Sequence, residues 1–400
     1  MKYDFTTIYT RNGMDALAVD AIGKESYAPK APAAGYDVIP MWVADMNFAT
    51  APSVTSAIEK RLAHPLFGYF EPSEKYERSI IDWQIRQNGT AVTKDQIGYE
   101  NGVLGGAVSA LQALIKRGGK VMLHSPYYVG FIGMLKNAGF KVITSPLVRD
   151  SVGKWRMDYQ DMEEKLRTEN IDAFLFCSPH NPSGRVWEKW EIEQAMQLIE
   201  SFGIPVISDE IWSDLILPGH KHVPTQSVSP YAREHTVALY APTKTFNLAG
   251  LTGGYHVVFN RDWQEKILKK SQVSHYNHMN VLFMHALIGA YSEEGNEWLQ
   301  ELLQVIDQNI TFACDFLEKE LPDLAFSRPE GTYMLFVDVS RYMEKSGRSM
   351  DEILEQCWRY GVAVQNGREF GNDSSIRINL ASPFEMIKKA FRRMCEYVFY

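Results

Sequence analysis

The sequence predicts an α/β protein: a large domain built on a mostly parallel sheet covered by helices, followed by a smaller α+β domain. Two observations carry this expectation. Between about residues 104 and 259, short apolar runs alternate with amphipathic stretches, and the runs have no polar side, as strands buried on both faces require. From about residue 290 that alternation gives way to one long helical stretch and then to short strands and helices. The expected boundaries are 1–50, an N-terminal segment packing on the small domain; 51–289, the large domain; and 290–400, the small domain.

The elements follow in chain order. Residues 1–50 carry little helical periodicity. In "LGGAVSALQALIKR", Leu104, Val108, Leu111 and Ile115 fall on one helical stripe, which Gly118 and Gly119 close. "KVMLHS" reads as a strand, 130–138 as a helix and "FKVITS" as a strand. "DAFLFCS" is the next strand, "EKWEIEQAMQLIESFG" an amphipathic helix, and "PVISDE", "HTVALY" and "GYHVVF" are strands. In the small domain a helix is expected from Asn296 to about Lys319. "YMLFVDVS", "GVAVQ" and "SIRINLAS" are expected as strands, with helices near 350–360 and 384–397. No internal repeat or low-complexity segment interrupts the chain.

The composition narrows the function. The 400 residues are 45% hydrophobic and 22% charged, which is ample for a large core. A net charge of −8 argues against a nucleic-acid footprint, which needs a basic stripe. No apolar run reaches the length of a membrane span, and "MKYDFTTIYTRNGMDALAVD" has no signal-peptide core. Cys177, Cys314, Cys357 and Cys395 are scattered, without a CxxC pair. A cytoplasmic protein is expected. His275 and His278 in "SHYNHMN", and likewise His220 and His222, read as loop residues; without a carboxylate or thiol partner they suggest no metal site.

In open α/β sheets ligands collect beyond the carboxyl ends of strands, so the polar residues there are the candidates. "AFLFCS" is followed by "PHNPSG" with Asn181, and "PVIS" by "DEIW" with Asp209. "HTVALY" is followed by "APTK" with Lys244, and "VMLHS" by "PYY" with Tyr128; "NGVLGG" opens a helix. Singly each is weak, since "NPSG" is a common turn and a lone lysine is usually a surface residue. Together they fit pyridoxal 5′-phosphate. Lys244 would bond covalently to the cofactor aldehyde and later act as general base, its pKa lowered from about 10.4 by burial. Asp209 would pair with the protonated ring nitrogen, a contact worth roughly 4 kcal/mol at about 4 Å and an effective dielectric near 20, before desolvation. Asn181 would reach the ring's phenolic oxygen, and Tyr128 would stack on its face. The N–H groups of Gly102, Val103 and Leu104, with the Thr243 hydroxyl, would hold the phosphate.

"NPSG", "SDEIW" and "KTFNLAGL", in this order, resemble the fold-type I pyridoxal-phosphate enzymes, the aspartate aminotransferase superfamily. "MWVADMNFATAP", "FGYFEP", "SPHNPSGRVW", "SDEIWSDLIL" and "SIRINLASP" resemble, more narrowly, the PatB/MalY-like cystathionine β-lyases and C–S lyases, over almost the whole chain. The resemblance implies a homodimer in which Tyr69 reaches the partner's phosphate site. It implies that Arg377 binds the substrate α-carboxylate with its planar fork, near Asn181 and the backbone at Ala44 and Asp45; the competing reading of Arg377 is an internal salt bridge. Three positions depart from the pattern. Asn47 stands where many relatives have Asp, Trp212 where Tyr or His is common, and Thr252 where many aminotransferases place a phosphate-binding Arg.

The reaction this implies is β-elimination. The freed Lys244 amine would take the Cα proton, a thiol would leave Cβ, and the remainder would become pyruvate and ammonia. Substrates would be cystathionine, cysteine or another S-substituted cysteine. The alternatives are a class I/II aminotransferase, which uses the same residues, and a cofactor-holding regulatory protein.

Overall fold

The computed structural model describes residues 1–400, Ser274 by its backbone only. The first strand, β1 (Ile39–Pro40), lies in an N-terminal segment whose single helical turn is Leu17–Asp20. The large sheet comprises β2 (Ile97–Glu100), β3 (Lys120–Ser125), β4 (Lys141–Arg149), β5 (Trp155–Met157), β6 (Ala173–Cys177), β7 (Val206–Asp209), β8 (Thr236–Tyr240) and β9 (Gly254–Val257), in the order β2-β9-β8-β7-β6-β3-β4-β5. The central strands β8, β7, β6, β3 and β4 are mutually parallel. Every residue of β6, β7 and β8 is buried, which explains why these runs lack a polar side. Strand order reverses between β6 and β3, so their crossover helices leave on opposite faces and open a crevice at their carboxyl ends.

The flanking strands are antiparallel, which the alternation of strands and helices did not predict. β9 runs against β8 and β2 against β9, while β5 runs against β4. β2 and β5 are short and end the sheet. Two helices, Pro52–Leu62 and Glu74–Trp83, precede the helix Val103–Leu114, which the spacing had marked as the first. Their start signals are present in the sequence: Pro52 opens the first, and Ser73 Oγ accepts from Tyr76 N at 3.3 Å at the start of the second.

The C-terminal unit contains β10 (Ala325–Phe326), β11 (Met334–Asp338), β12 (Val362–Ala363), β13 (Gln365–Asn366) and β14 (Ser375–Asn379). An antiparallel sheet of order β10-β11-β14-β13 carries it, while β12 pairs in parallel with β1, Ile39 opposite Val362. Met41 N donates to Ala363 O and Asn47 N to Ala381 O, fixing residues 39–47 along this unit. The expected "GVAVQ" strand is split in two. The long helix runs Glu293–Glu320 and buries Trp298, Leu302, Val305, Ile306, Ile310, Ala313 and Leu317 on one face. One apolar cluster extends from Trp83 and Phe246 through Trp298 to Ile378, bringing both units to a shared core.

Candidate functional site

Four parallel strands deliver their following residues to one cleft of about 290 Å³. It is lined by the turn Asn101–Gly105, Tyr128, Cys177, Asn181, Asp209, Ile211, Trp212, Thr243, Lys244, Ala249, Thr252 and Gly253. Eight of the sequence candidates, Gly102, Val103, Leu104, Tyr128, Asn181, Asp209, Thr243 and Lys244, are therefore brought together. Lys244 follows β8 and is partly buried; its Nζ donates to Ala44 O at 2.8 Å. Burial and the nearby Arg377 lower its pKa to about 8, against the opposing pull of Asp45 and Asp209. An amine at that value is a far better nucleophile near neutrality than a surface lysine.

Asp209 ends β7. It is 5% exposed, its Oδ1 accepts from Ile211 N at 3.1 Å, and burial raises its pKa to about 7. Among the described residues it forms no ion pair of 4.0 Å or less. Gly102 has φ +81 just before the helix Val103–Leu114, whose first residues line the cleft and whose first N–H groups lack partners within the helix. A Cβ at Gly105 would fall 1.7 Å from Tyr276 Oη, so any side chain there would have to displace that tyrosine. Thr252, also on the wall, holds the left-handed φ of +41.

Arg377 stands on β14, 2% exposed. Its Nη1 donates to Asn181 Oδ1 at 3.1 Å, and its Nη2 to Trp42 O at 2.7 Å and Gln365 Oε1 at 2.5 Å. No carboxylate pairs with it among the described residues, so the internal salt bridge is not what holds it. Burial lowers its pKa to about 10. Ala44 belongs to a loop fastened from three sides. Arg11 pairs with Asp45 at 2.6 Å and donates to Asn47 Oδ1 at 2.8 Å. Asn247 Oδ1 accepts from Met46 N, and Asn379 Nδ2 donates to Val43 O and Asp45 O. Tyr69 lies outside the cleft, fully exposed at 111%, in an extended segment with Leu66 and Phe67 also exposed.

Some of these surroundings were not legible. Trp212 is 2% exposed, and its ring centroid lies 5.9 Å from Lys244 Nζ. His222 lies in a loop, as expected, but is buried, its Nε2 2.8 Å from Glu210 Oε2, which also accepts from Tyr240 Oη at 2.7 Å. His220 stays partly exposed, as expected of a loop. His275 and His278 lie 3.4 Å apart, nitrogen to nitrogen, with no third ligand, and no group of three or more potential metal ligands occurs among the described residues. The four cysteines are free, and no helix among the described residues is long and apolar enough to cross a membrane.

A sheet crevice with a lysine, a buried carboxylate and a helix N-terminus is the architecture of a fold-type I enzyme. The chain belongs to the aminotransferase class I and II family, which matches residues 36–394. Among individual proteins it is similar to cystathionine beta-lyase PatB of Bacillus subtilis, 33% identical over 361 residues that cover 90% of this chain and 92% of that one. Its fold is similar to a PLP-bound putative aminotransferase from Clostridium difficile 630 (TM-score 0.91, 33% identity, 98% of each chain). It is also similar to the PLP-bound C-S lyase from Staphylococcus hominis (TM-score 0.90, 29% identity, 100% of this chain and 99% of that one).

Proposed function

We propose that this chain is a pyridoxal-phosphate-dependent carbon–sulfur lyase of the cystathionine β-lyase type, which cleaves S-substituted cysteines to a thiol, pyruvate and ammonia. The observation that carries the reading is the convergence of Lys244, Asp209 and the Gly102–Leu104 turn on one cleft. The residues fit the cofactor. Asp209 is a buried carboxylate without a cationic partner, which a protonated ring nitrogen would supply. The helix N-terminus offers N–H groups to a phosphate, and Thr243 lines the same wall.

Bound there, the cofactor supplies an electron sink beside the substrate Cα. Lys244 would anchor it covalently and, as the free amine, would move the substrate Cα proton; its lowered pKa suits that work near neutrality. Asp209 would pair with the ring nitrogen and keep it protonated. Asn181 Oδ1 accepts from Arg377; its amide N–H would hold the ring oxygen, and Arg377 would bind the substrate α-carboxylate. Tyr128, Trp212 and Ile211 exclude water from the reacting atoms. The Cα–H and Cβ–S bonds break, the thiol leaves with a proton, and water converts the three-carbon remainder to pyruvate and ammonia.

The division into 1–50, 51–289 and 290–400 is part of this proposal, as are a cytoplasmic location and a homodimer in which Tyr69 completes the partner's phosphate site. The full exposure of Tyr69 beside exposed Leu66 and Phe67 supports the dimer.

Purified protein given cystathionine and no keto acid is expected to release pyruvate and thiol. Silence there, with glutamate formed only when an amino acid and 2-oxoglutarate are both added, would make the chain an aminotransferase instead.

Stability offers a separate check on Asp209. A carboxyl near 7 in the fold and about 3.9 unfolded is protonated in both states at low pH and then costs nothing. As pH rises between those values the unfolded chain loses its proton first, so stability falls, by roughly 4 kcal/mol once the titration is complete. Cofactor-free Asp209→Asn is therefore expected to melt above cofactor-free wild type at pH 8 and level with it at pH 4. A wild-type advantage at pH 8 would contradict the burial argument.

A further inference from the structure

Two buried donors near the cleft are left without an acceptor. Tyr333 is 0% exposed and, among the described residues, its hydroxyl has no hydrogen-bond partner and neither has the Nε of Arg377. Buried polar groups are normally satisfied, and two such donors, one on β14 and one just before its partner strand β11, point to a ligand that brings an acceptor. Tyr333 immediately precedes β11, and its carbonyl accepts from Leu380 N, three residues beyond Arg377 on the paired strand. Electrostatic coupling between Tyr333 and Arg377 runs in both directions, and Tyr128 and Asp45 act on Tyr333 as well.

The backbone is shaped to present this tyrosine. Thr332 holds φ +64, a conformation costly for a β-branched residue and kept only where the surroundings enforce it. Its N–H donates to Leu215 O at 2.8 Å and its hydroxyl accepts from Met334 N at 3.0 Å, so both sides of the kink are fastened. The Tyr333 ring then meets Trp212 edge-on at 4.8 Å, and Trp212 forms the cleft wall beside Lys244.

We propose that Tyr333 is a substrate-binding residue whose hydroxyl donates to the same α-carboxylate that Arg377 holds. This rests on the assignment of Arg377 to that carboxylate. An anion with several lone pairs satisfies a guanidinium and a hydroxyl together. The neutral donor adds recognition of the carboxylate without adding a second charge to the wall that lowers the Lys244 pKa.

The test uses the holoenzyme and two ligands that differ only in the carboxylate: L-methionine, whose sulfur is one carbon too far for β-elimination, and 3-(methylthio)propylamine. Binding is followed by the change in cofactor absorbance. Tyr333→Phe is expected to weaken methionine about tenfold, on the scale of one hydrogen bond to a charged group. It should leave the amine within about twofold, because the lost oxygen bonds to nothing in the unliganded protein. The unliganded melting temperature should hold or rise. Equal effects on both ligands, or none, overturn the proposal and leave Tyr333 as packing or a water ligand. If instead Arg377→Lys does not alter the preference for methionine over the amine, the carboxylate assignment itself fails. Should Tyr333→Phe not fold, the wild-type holoenzyme structure with methionine decides. Tyr333 Oη within hydrogen-bond distance of a carboxylate oxygen supports the proposal, and any greater separation overturns it.

Discussion

Lys244→Ala is expected to lower turnover by at least about four orders of magnitude, the upper range for loss of a general base, and to abolish covalent retention of the cofactor. Both effects come from one atom. Lys244 Nζ sits at the cleft wall, held by the Ala44 carbonyl, in surroundings that lower its pKa to about 8. Arginine cannot substitute, because its guanidinium stays protonated at working pH and cannot serve as base or nucleophile. A Lys244→Arg variant is therefore expected to be as inactive as the alanine variant while keeping the positive charge. Quenched-flow measurement of pyruvate separates loss of chemistry from loss of binding; substantial turnover in either variant would remove Lys244 from the mechanism.

Asp209→Ala carries the second-largest expected effect, a loss of turnover of roughly a thousandfold. A buried carboxylate paired with a ring cation at contact is worth roughly 4 kcal/mol at an effective dielectric near 20, and that stabilisation enters the rate exponentially. Alanine leaves Lys244, Thr243 and the helix N-terminus in place, so part of the cofactor stays bound and the defect lies in kcat. Cofactor content by absorbance, measured beside kcat, separates the two. Unchanged turnover would refute the electron-sink role of Asp209.

The site was legible where position after a strand sets function. Asn181, Asp209 and Lys244 each lie at or just past the end of a buried strand, and a parallel sheet carries such residues to the same edge. What stayed hidden depends on partners distant in sequence. Among the described residues the Tyr333 hydroxyl has no acceptor, which its core-like sequence does not show, and nothing local shows that the loop residue His222 is buried against Glu210, twelve residues earlier. The Ala44 loop is fixed by Asn247 and Asn379, two and three hundred residues away, which no local pattern announces. Among helices, Val281–Ala290 is apolar on nearly every side, so no period marks it. The antiparallel edge strands β2 and β5 are too short to show alternation.

The most direct measurement is borohydride treatment of the cofactor-loaded protein followed by peptide mass mapping. The reduced cofactor is expected to stay attached through denaturation, with its mass on the peptide carrying Lys244. Label on a different lysine, or none, would contradict it.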